Sequence, residues 1–356
     1  MKDTIKYVIQ RVVLIFFTAF IILSITYILL QVLPLNVIGS KPEELAMFWN
    51  KQVELGYYYM MRSSDPNLTQ EMIDDAAKAK IQLGQETFYY FPYPIMHRYF
   101  VWLGNIFTKW DWGVSANLYP NTPAINIMAK ALPYSMRLNI IAIIIAVPLG
   151  IALGVLAALK KNTWVDNTIS TVIMIFISVP SFVIISFLLI WFAYTNKWLP
   201  NRWPSDANAA ADPILAIKAY VIPVAALSFG SICGFARYTR AELTEVMSSE
   251  FLLLARTKGL TKSQSVVRHA LRNSMVPIVP MIIGEFIGIL SGSMVLEQIY
   301  GIPGIGHIFV DALTAQDYSV VMVDMAIYTT IGLFATLMVD LSYGIVDPRI
   351  RMGARK

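Results

Sequence analysis

The three histidines of the chain are too scattered to form a recognisable catalytic or metal-binding motif. His97, His269 and His307 stand far apart, and no HExxH or similar ligand spacing occurs. A Ser-His-Asp hydrolase inside a membrane would need a histidine in an apolar run, and none of the three lies in one. The single cysteine, Cys233, excludes an internal disulfide framework and a CxxC-type metal site. We therefore expect no catalytic residue, cofactor or metal in this chain.

The glycines at 301, 304 and 306 do not form a phosphate-binding loop. Their spacing is not GxGxxG and no strand is expected before them, so we interpret them as a tight extracytoplasmic turn. The sequence GxxxxGK[ST] occurs nowhere in the chain. The chain therefore lacks a P-loop of its own, and any ATP-driven motor must be a separate polypeptide.

A basic, strongly patterned segment spans residues 250–277 and lies between two hydrophobic runs. Ser248 and Ser249 can cap a helix from about Glu250 to Lys258, and Gly259 tolerates the positive φ that follows a helix end. The pattern predicts a short helix that stops at Gly259.

A second helix is predicted after this glycine. Thr261 and Gln264 form a capping box, and the helix can run to Asn273 or beyond, until Pro277 introduces the next hydrophobic run. One side of this helix carries four apolar residues, Val266, Val267, Ala270 and Leu271. Another side carries Arg268 and Arg272, one turn apart. The pattern indicates a docking element with a cationic edge; the alternative is an ordinary basic cytoplasmic loop.

Charges inside hydrophobic runs are costly and are candidates for function. Glu285 lies in the fifth run among Gly284, Gly288 and Gly292, where it could face a pathway and attract a peptide amine or, alternatively, bond a neighbouring helix. Asp324 and Asp340 are expected near the ends of the sixth run, solvated by water or headgroups. In the third run, Ser178-Val179-Pro180-Ser181 can kink the helix, which predicts either a gate or a packing feature.

Composition predicts an integral membrane protein. Hydrophobic residues make up 56% of the chain, charged residues only 14%, and the mean hydropathy is +0.58. Six runs are long enough to span a bilayer as helices, at about 9–33, 136–159, 166–194, 219–238, 277–299 and 320–346. The first follows Lys2, Lys6 and Arg11 but is too long for a signal-peptide core and lacks a cleavage site, so we expect it to be retained.

Six spans place both termini on one side, and the basic residues favour the cytoplasm. With the N-terminus inside, the cytoplasmic segments hold more than half of the 28 Lys and Arg residues. The net charge of +5 is therefore assigned to individual loops on each side of the membrane, and it is not taken as a sign of nucleic-acid binding. We expect a multi-pass protein in contact with membrane lipid, and with no nucleic acid.

The domain organisation follows from these runs. We expect a first transmembrane helix at 1–34, an extracytoplasmic segment at 35–131, a five-helix core at 132–348 with a cytoplasmic loop at 240–276, and a cytoplasmic tail at 349–356. Within the second segment, 41–90 is predicted to form a small insertion of short amphipathic helices, over EELAMFWNKQVEL and QEMIDDAAKAKIQL, joined by a turn at SSDPN. The aromatic-rich stretch 96–115 suits an interfacial helix; the alternative is a loop with scattered aromatic residues.

Residues 96–350 resemble the permeases of ATP-binding-cassette importers for dipeptides, oligopeptides and nickel, in particular the first of their two permeases. The runs that carry the resemblance are WLGNIF…DWGVS at 102–115, LPYSMRLNI at 132–140, PLGIALGVLAALKK at 148–161, SVPSF at 178–182, GIPGIG at 301–306 and VDLSYGIVDPRIR at 339–351. The basic segment is similar to the EAA loop of that superfamily. The shorter members of the family lack the 41–90 insertion, and no family function is carried onto it.

The resemblance implies an all-α type I importer permease with six transmembrane helices. It implies that a coupling helix sits in a cleft of an ATPase, and the residues expected to couple are Glu250, Ala255, Lys258, Gly259, Leu260, Arg268, His269, Arg272 and Asn273. The implied partners are a homologous second permease, two P-loop ATPases that bind ATP and Mg²⁺, an extracytoplasmic binding protein and a peptide. The alternatives are a nickel or other small-solute importer of this architecture, and a secondary transporter driven by an ion gradient.

Overall fold

The computed structural model describes residues 2–39, 41–288 and 293–346 of the 356-residue chain. The predicted tail 349–356 lies outside these residues, as does the stretch 289–292 of the fifth predicted run. In chain order the elements are α1 (Lys2–Val32), α2 (Pro42–Glu54), β1 (Tyr58–Arg62), α3 (Gln70–Ala76), β2 (Ala79–Leu83), β3 (Glu86–Pro92), α4 (Ile95–Lys109), α5 (Ala124–Leu159), α6 (Trp164–Ile177), α7 (Ser181–Leu188), α8 (Asp206–Ala211), α9 (Pro213–Met247), α10 (Glu250–Thr257), α11 (Lys262–Ser265), α12 (Leu271–Gly288), α13 (Met294–Tyr300), α14 (Ile305–Thr314) and α15 (Tyr318–Val346).

The fold is mostly helical, and its long helices coincide with the predicted hydrophobic runs. Among the described residues, four helices are long and apolar enough to cross a membrane: α1, α5, α9 and α15. A fifth span is possible if α6 is counted together with Ser181–Thr195, in which α7 continues as a π-helix over Leu189–Thr195. The fifth predicted run, 277–299, coincides with α12 and α13, between which part of the chain lies outside the description. The prediction of six spans therefore stays a prediction.

The third predicted run is broken, as its Pro180 suggested. Helix α6 ends at Ile177, α7 begins at Ser181, and the two are bent by 99°. Pro180 cannot donate a backbone hydrogen bond, but its carbonyl accepts from the N–H groups of Val183 and Ile184 and so begins the new helix. The predicted kink is confirmed.

The chain divides into two compact units, each with its own core. The described residues of the first unit fall within 1–15, 133–307 and 331–356, and those of the second within 16–132 and 308–330. The core of the first unit gathers buried side chains of α5, α7, α9 and α13, among them Leu138, Ile185, Ile222, Leu296 and Tyr300.

The 41–90 insertion lies in the second unit and contains a sheet that was not predicted. Strands β1, β3 and β2 form an antiparallel sheet in that order, with Tyr58 opposite Pro92 and Ala79 opposite Tyr90. The first predicted helix is present as α2, and Phe48 and Trp49 on it pack on the sheet at Tyr58 and Tyr90. The second is wrong beyond Ala76: the helix stops there, and Ala79–Leu83 forms strand β2 instead. The prediction of an all-α chain therefore fails in this insertion.

The predicted interfacial helix is α4, and it ends earlier than position 115. Trp110 adopts the left-handed region with φ +55°, which terminates the helix after Lys109. Tyr99 and Trp102 are buried, and Trp102 stacks on Tyr27 of α1 with ring centroids 4.5 Å apart. Part of the aromatic cluster thus packs within the protein.

Candidate functional site

The basic segment folds as the helix, glycine turn and helix that its caps predict. Helix α10 begins at Glu250 and ends at Thr257, one residue before the predicted end. Gly259 follows with φ +95°, and a Cβ at this position would meet no atom within 4 Å. The glycine is needed for its backbone conformation rather than for space.

The predicted capping box is present, whereas the predicted serine cap is not. The Thr261 hydroxyl accepts the N–H of Gln264 at 3.2 Å, and the Gln264 side chain accepts the N–H of Thr261 at 3.1 Å. Ser248 and Ser249 instead donate their hydroxyls backward to the carbonyls of Glu245 and Val246. Among the described residues, neither hydroxyl accepts an N–H of α10, so the two serines bond the end of α9 and do not cap α10.

One side of the segment is packed into the first unit. Leu252, Val266 and Ala270 are buried together with Leu243 of α9 and Ala158 near the end of α5. The predicted apolar side is therefore half correct, because Val266 and Ala270 face inward, Leu271 is half-buried and Val267 is exposed. This packing seats the segment directly on two long helices.

The other side presents apolar and basic side chains to the exterior. Leu253, Leu254 and Val267 are 57–62% exposed. Seven of the nine predicted coupling residues are also exposed: Gly259 and six with polar side chains, four of which carry or can carry positive charge, namely Glu250, Lys258, Arg268, His269, Arg272 and Asn273. Ala255 and Leu260 are half-buried. Within the described part of the chain, no carboxylate forms an ion pair with Arg268 or Arg272.

A π-helical turn joins the segment to helix α12, which follows it. Residues Val266–Ala270 form one wide turn in which the N–H of Leu271 bonds the carbonyl of Val266. Helix α12 then continues through Pro277 and Pro280, so the predicted boundary at Pro277 is wrong. Because the helix is continuous here, the exposed surface and α12 are parts of one element.

Two glycines bring α5 and α9 into close contact next to this segment. A Cβ at Gly150 would lie 2.7 Å from Phe235 Cβ, and one at Gly154 would lie 2.6 Å from both the Ala236 carbonyl oxygen and Thr239 Cβ. Gly150 and Gly154 form a GxxxG sequence, a pattern that allows helices to approach closely. This spacing is visible in the sequence and could have identified the contact.

An ion pair fixes the start of α6 to α9. Arg240 donates from Nε and Nη2 to the two carboxylate oxygens of Asp166, at 2.5 and 2.8 Å. Asp166 is 1% exposed and also accepts the N–H of Asn162 and the hydroxyl of Ser170. Sequence reasoning missed this pair, since 74 residues separate the partners and neither stands in a recognisable motif.

The candidate pathway and gate residues occupy two places in the first unit. Ser178, Pro180 and Ser181 form the exposed break between α6 and α7. Glu285 is half-buried on α12, and its carboxylate accepts a hydrogen bond from Ser231 of α9. A bond to a neighbouring helix, which the sequence left as one alternative for Glu285, is therefore present.

The carboxylates of the sixth predicted run differ in their surroundings. Asp340 forms an ion pair with Arg11 of α1 at 3.2 Å and is partly exposed. Asp324 is fully buried, so the expectation that water or headgroups solvate it is wrong.

A buried carboxylate organises the glycine turn at 301–306. Glu297 on α13 is 2% exposed and accepts the Ser135 hydroxyl at 2.6 Å and the His307 N–H at 3.1 Å. A Cβ at Gly304 would lie 2.5 Å from a Glu297 carboxylate oxygen, so the absent side chain makes room for this charge. The turn was predicted, but the carboxylate was missed because one of its partners, Ser135, lies on a helix 162 residues away.

Comparison with known proteins gives the same relationship over most of the chain. Residues 150–352 match the profile of the family described as binding-protein-dependent transport system inner membrane component. The dipeptide transport system permease protein DppB of Lactococcus lactis subsp. cremoris is 32% identical over 349 residues, 98% of this chain and 100% of that protein. The oligopeptide transport system permease protein OppB of Salmonella typhimurium is 36% identical over 267 residues, 75% of this chain and 84% of that protein.

The alignment with the Lactococcus protein extends over the 41–90 insertion, because it leaves out only a few residues of this chain.

Solved structures show a weaker likeness. An inward-facing MetNI methionine ABC transporter covers 65% of this chain and 98% of its own, with a TM-score of 0.43 and 16% identity. An amino acid ABC transporter solved with histidines covers 62% of this chain and 94% of its own, with a TM-score of 0.46 and 19% identity. Likeness at this level adds nothing to the sequence relationship. The profile match over more than half of the chain and the identity to full-length relatives lead to one conclusion: the chain belongs to the family of binding-protein-dependent transport system inner membrane components, and within it is related to the dipeptide and oligopeptide permeases.

Proposed function

We propose that this chain is the permease subunit of an ATP-driven importer that moves dipeptides and oligopeptides across the cytoplasmic membrane. The names of its relatives, dipeptide and oligopeptide transport system permeases, support this substrate class. The observation that carries the mechanism is the segment 250–273, which is packed on α5 and α9 on one side and exposes apolar and basic side chains on the other.

The exposed side of this segment is the surface that couples to the ATPase. Its nine residues are Glu250, Ala255, Lys258, Gly259, Leu260, Arg268, His269, Arg272 and Asn273. Exposed leucines beside cations are typical of a surface that a partner covers, since the apolar groups supply buried area and the charges supply orientation. Because the inner side is packed on α9 and α12 continues from the π-helical turn, a displacement of this surface would move both helices.

The chain works within a larger assembly. Its partners are a homologous second permease, two cytoplasmic ATPase subunits that bind ATP and Mg²⁺, and an extracytoplasmic binding protein that delivers the peptide. The chain itself is the transport subunit and hydrolyses nothing. Both termini are cytoplasmic, and residues 35–131 lie outside.

The pathway is lined on this subunit by residues near the helix break and on α12. Glu285 is half-buried and supplies a carboxylate that suits a peptide amine. The break at Ser178, Pro180 and Ser181 is a point where the two helical parts can change their angle, as expected of a gate.

The experiment is peptide uptake in cells that lack the chain and are complemented with variants. Labelled di-, tri- and pentapeptides and labelled nickel are supplied with and without ATP depletion. We expect peptide uptake that requires both the chain and ATP. Nickel uptake alone would move the substrate to the metal, and peptide uptake that survives ATP depletion but is lost with the ion gradient would refute ATP coupling.

Coupling is tested by the double variant Arg268→Glu/Arg272→Glu and by Gly259→Pro. Charge reversal places like charges against the partner, and proline cannot adopt the φ of +95° at position 259. Both changes should reduce uptake to background while the protein stays inserted in normal amount. The matched control is Arg202→Glu, an exposed arginine between α7 and α8, which should retain uptake. Normal uptake in both coupling variants would refute the assignment of this surface.

A further inference from the structure

The second unit encloses a cavity of about 500 Å³ that no step of the transport mechanism uses. Its wall includes the last turns of α1, the sheet-facing side of α2, the start of α4 and the first turn of α15. Eight aromatic side chains line it: Tyr27, Phe48, Trp49, Tyr57, Tyr58, Trp102, Trp112 and Tyr318. A volume of this size accommodates a small organic molecule.

The charge of this cavity is entirely positive. Lys78 and Arg98 line it, and no aspartate or glutamate of the described chain does. Lys78 is exposed at the rim, whereas Arg98 is 8% exposed. A buried cation is ordinarily paired with a carboxylate, so this composition indicates that a negative charge is supplied from outside.

The bonds that Arg98 makes within the chain do not balance its charge. Its Nη1 donates to the side chain of Gln31, and its guanidinium carbon lies 5.9 Å from the centre of the Tyr58 ring. Gln31 and Tyr58 are neutral. Its buried Nε has no hydrogen-bond partner in the part of the chain that the structure describes. A guanidinium with a free N–H is suited to a carboxylate or phosphate, which it can bind through two N–H groups.

A second buried donor lies in the same cavity wall. The indole Nε1 of Trp112 is buried and, among the described residues, has no acceptor. The Tyr57 hydroxyl accepts from Asn105 and so keeps its own proton available, and burial raises the pKa of Tyr57 to about 12, which keeps it neutral. The cavity therefore offers several donors and a cation within aromatic walls.

We propose that this cavity binds a small amphipathic molecule through an oxyanion, a carboxylate or a phosphate, which Arg98 and Trp112 hold while the aromatic walls cover its apolar part. The oxyanion could belong to the free C-terminus of a short peptide or to the headgroup of an anionic lipid. The oxyanion site is argued from the second unit alone, whereas the peptide as its source rests on the proposed function.

The test is a binding titration of the purified full chain in a non-ionic detergent, followed by tryptophan fluorescence. Trp49, Trp102 and Trp112 line the cavity, so a ligand there changes their emission. The probes are Ala-Ala-Ala and its C-terminal amide, and dihexanoyl phosphatidylglycerol and dihexanoylglycerol. Each pair differs in the oxyanion, and the two pairs distinguish a peptide from a lipid source. We expect saturable binding of one acidic probe and at least tenfold weaker binding of its neutral counterpart.

Arg98→Gln should weaken binding of the acidic probe by about tenfold or more, since a hydrogen bond to a charged group is lost. Arg98→Lys should restore part of it. Lys78→Gln, at the exposed rim where folding is not at risk, should weaken binding a few-fold. Lys109→Gln, in the last turn of α4 and outside the cavity wall, should leave it unchanged.

The proposal is overturned if neither acidic probe binds to the unaltered chain, or if the neutral counterparts bind equally well. It is also overturned if Lys78→Gln and a correctly folded Arg98→Gln bind as the unaltered chain does. Gel filtration and circular dichroism establish the folding of each variant. If Arg98→Gln does not fold, Arg98→Lys and Lys78→Gln decide the matter.

Discussion

Removing Arg240 should destabilise the protein more than removing Asp166, although the two residues share one ion pair. The difference follows from burial, because Asp166 is 1% exposed whereas the Arg240 side chain is 33% exposed. Without the arginine, a carboxylate stays behind in a buried place. Without the carboxylate, the arginine can still reach solvent.

The expected loss of stability depends on which hydrogen bonds and charges remain after each substitution. Breaking a buried pair by removing one partner costs about 3–5 kcal/mol. In Arg240→Gln, the Asn162 N–H and the Ser170 hydroxyl still donate to Asp166, at 3.0 and 3.3 Å. We therefore expect about 3 kcal/mol, at the lower end of that range. Asp166→Asn keeps one acceptor and leaves a hydrated arginine, which should cost about 1–2 kcal/mol.

The stability lost in the double variant should be about 2 kcal/mol smaller than the sum of the losses in the two single variants. With both residues changed, no unpaired charge is left behind. The assay is the free energy of unfolding of the purified protein in mixed micelles with an increasing fraction of sodium dodecyl sulfate. The control is Arg237→Gln, an exposed arginine one turn earlier on α9, which should change stability by less than about 0.5 kcal/mol. Equal costs for both single variants, or strict additivity, would refute the reasoning from burial.

Two further substitutions test packing and buried charge in the same unfolding assay. Gly154→Ala should destabilise by about 1–3 kcal/mol, since its Cβ would collide with Thr239, whereas Gly230→Ala, with open space around its Cβ, should be neutral or slightly stabilising. A neutral Gly154→Ala would show that α5 and α9 are not in tight contact. Glu297→Gln should destabilise by about 1–3 kcal/mol because its amide nitrogen must face a donor, whereas Glu245→Gln, at an exposed position, should change little. Unchanged stability of Glu297→Gln would contradict the hydrogen bonds that Ser135 and His307 donate to this carboxylate.

Features that depend on local sequence were predictable. The capping box at Thr261, the turn at Gly259 and the break at Pro180 each arise from the covalent properties of one or two residues and their near neighbours. The long helices were predictable as well, because a bilayer requires about 20 apolar residues in succession. These features account for the position of the segment 250–273 and for most of the helices.

Features that depend on distant partners were not predictable. Residues 77–83 continue a pattern that could be helical, but Ala79–Leu83 forms strand β2 because β3 offers it a partner edge. Asp166 and Glu297 look like ordinary carboxylates in the sequence, and their importance comes from donors on other helices. Ser248 and Ser249 have the right residue type for a cap, but their hydroxyls bond α9 instead. Local propensity does not choose between accepting an N–H of the following helix and donating to a carbonyl of the preceding one.

The close contact of α9 with Gly150 and Gly154 divides α9 into a short arm that ends at Met247 and a long arm that begins at Pro213. The contact is centred near Ala236, about 16 Å from the end of α9 at Met247 and about 35 Å from its beginning at Pro213, at 1.5 Å per residue. Helices that meet backbone to backbone cannot slide past each other without separating, but they can rock. If α9 turns as a rigid rod about this contact, a displacement at Met247, beside the segment 250–273, is about doubled in amplitude at Pro213 and reversed in direction. The positions of Gly150 and Gly154 thus set the ratio between the lengths of the two arms of α9.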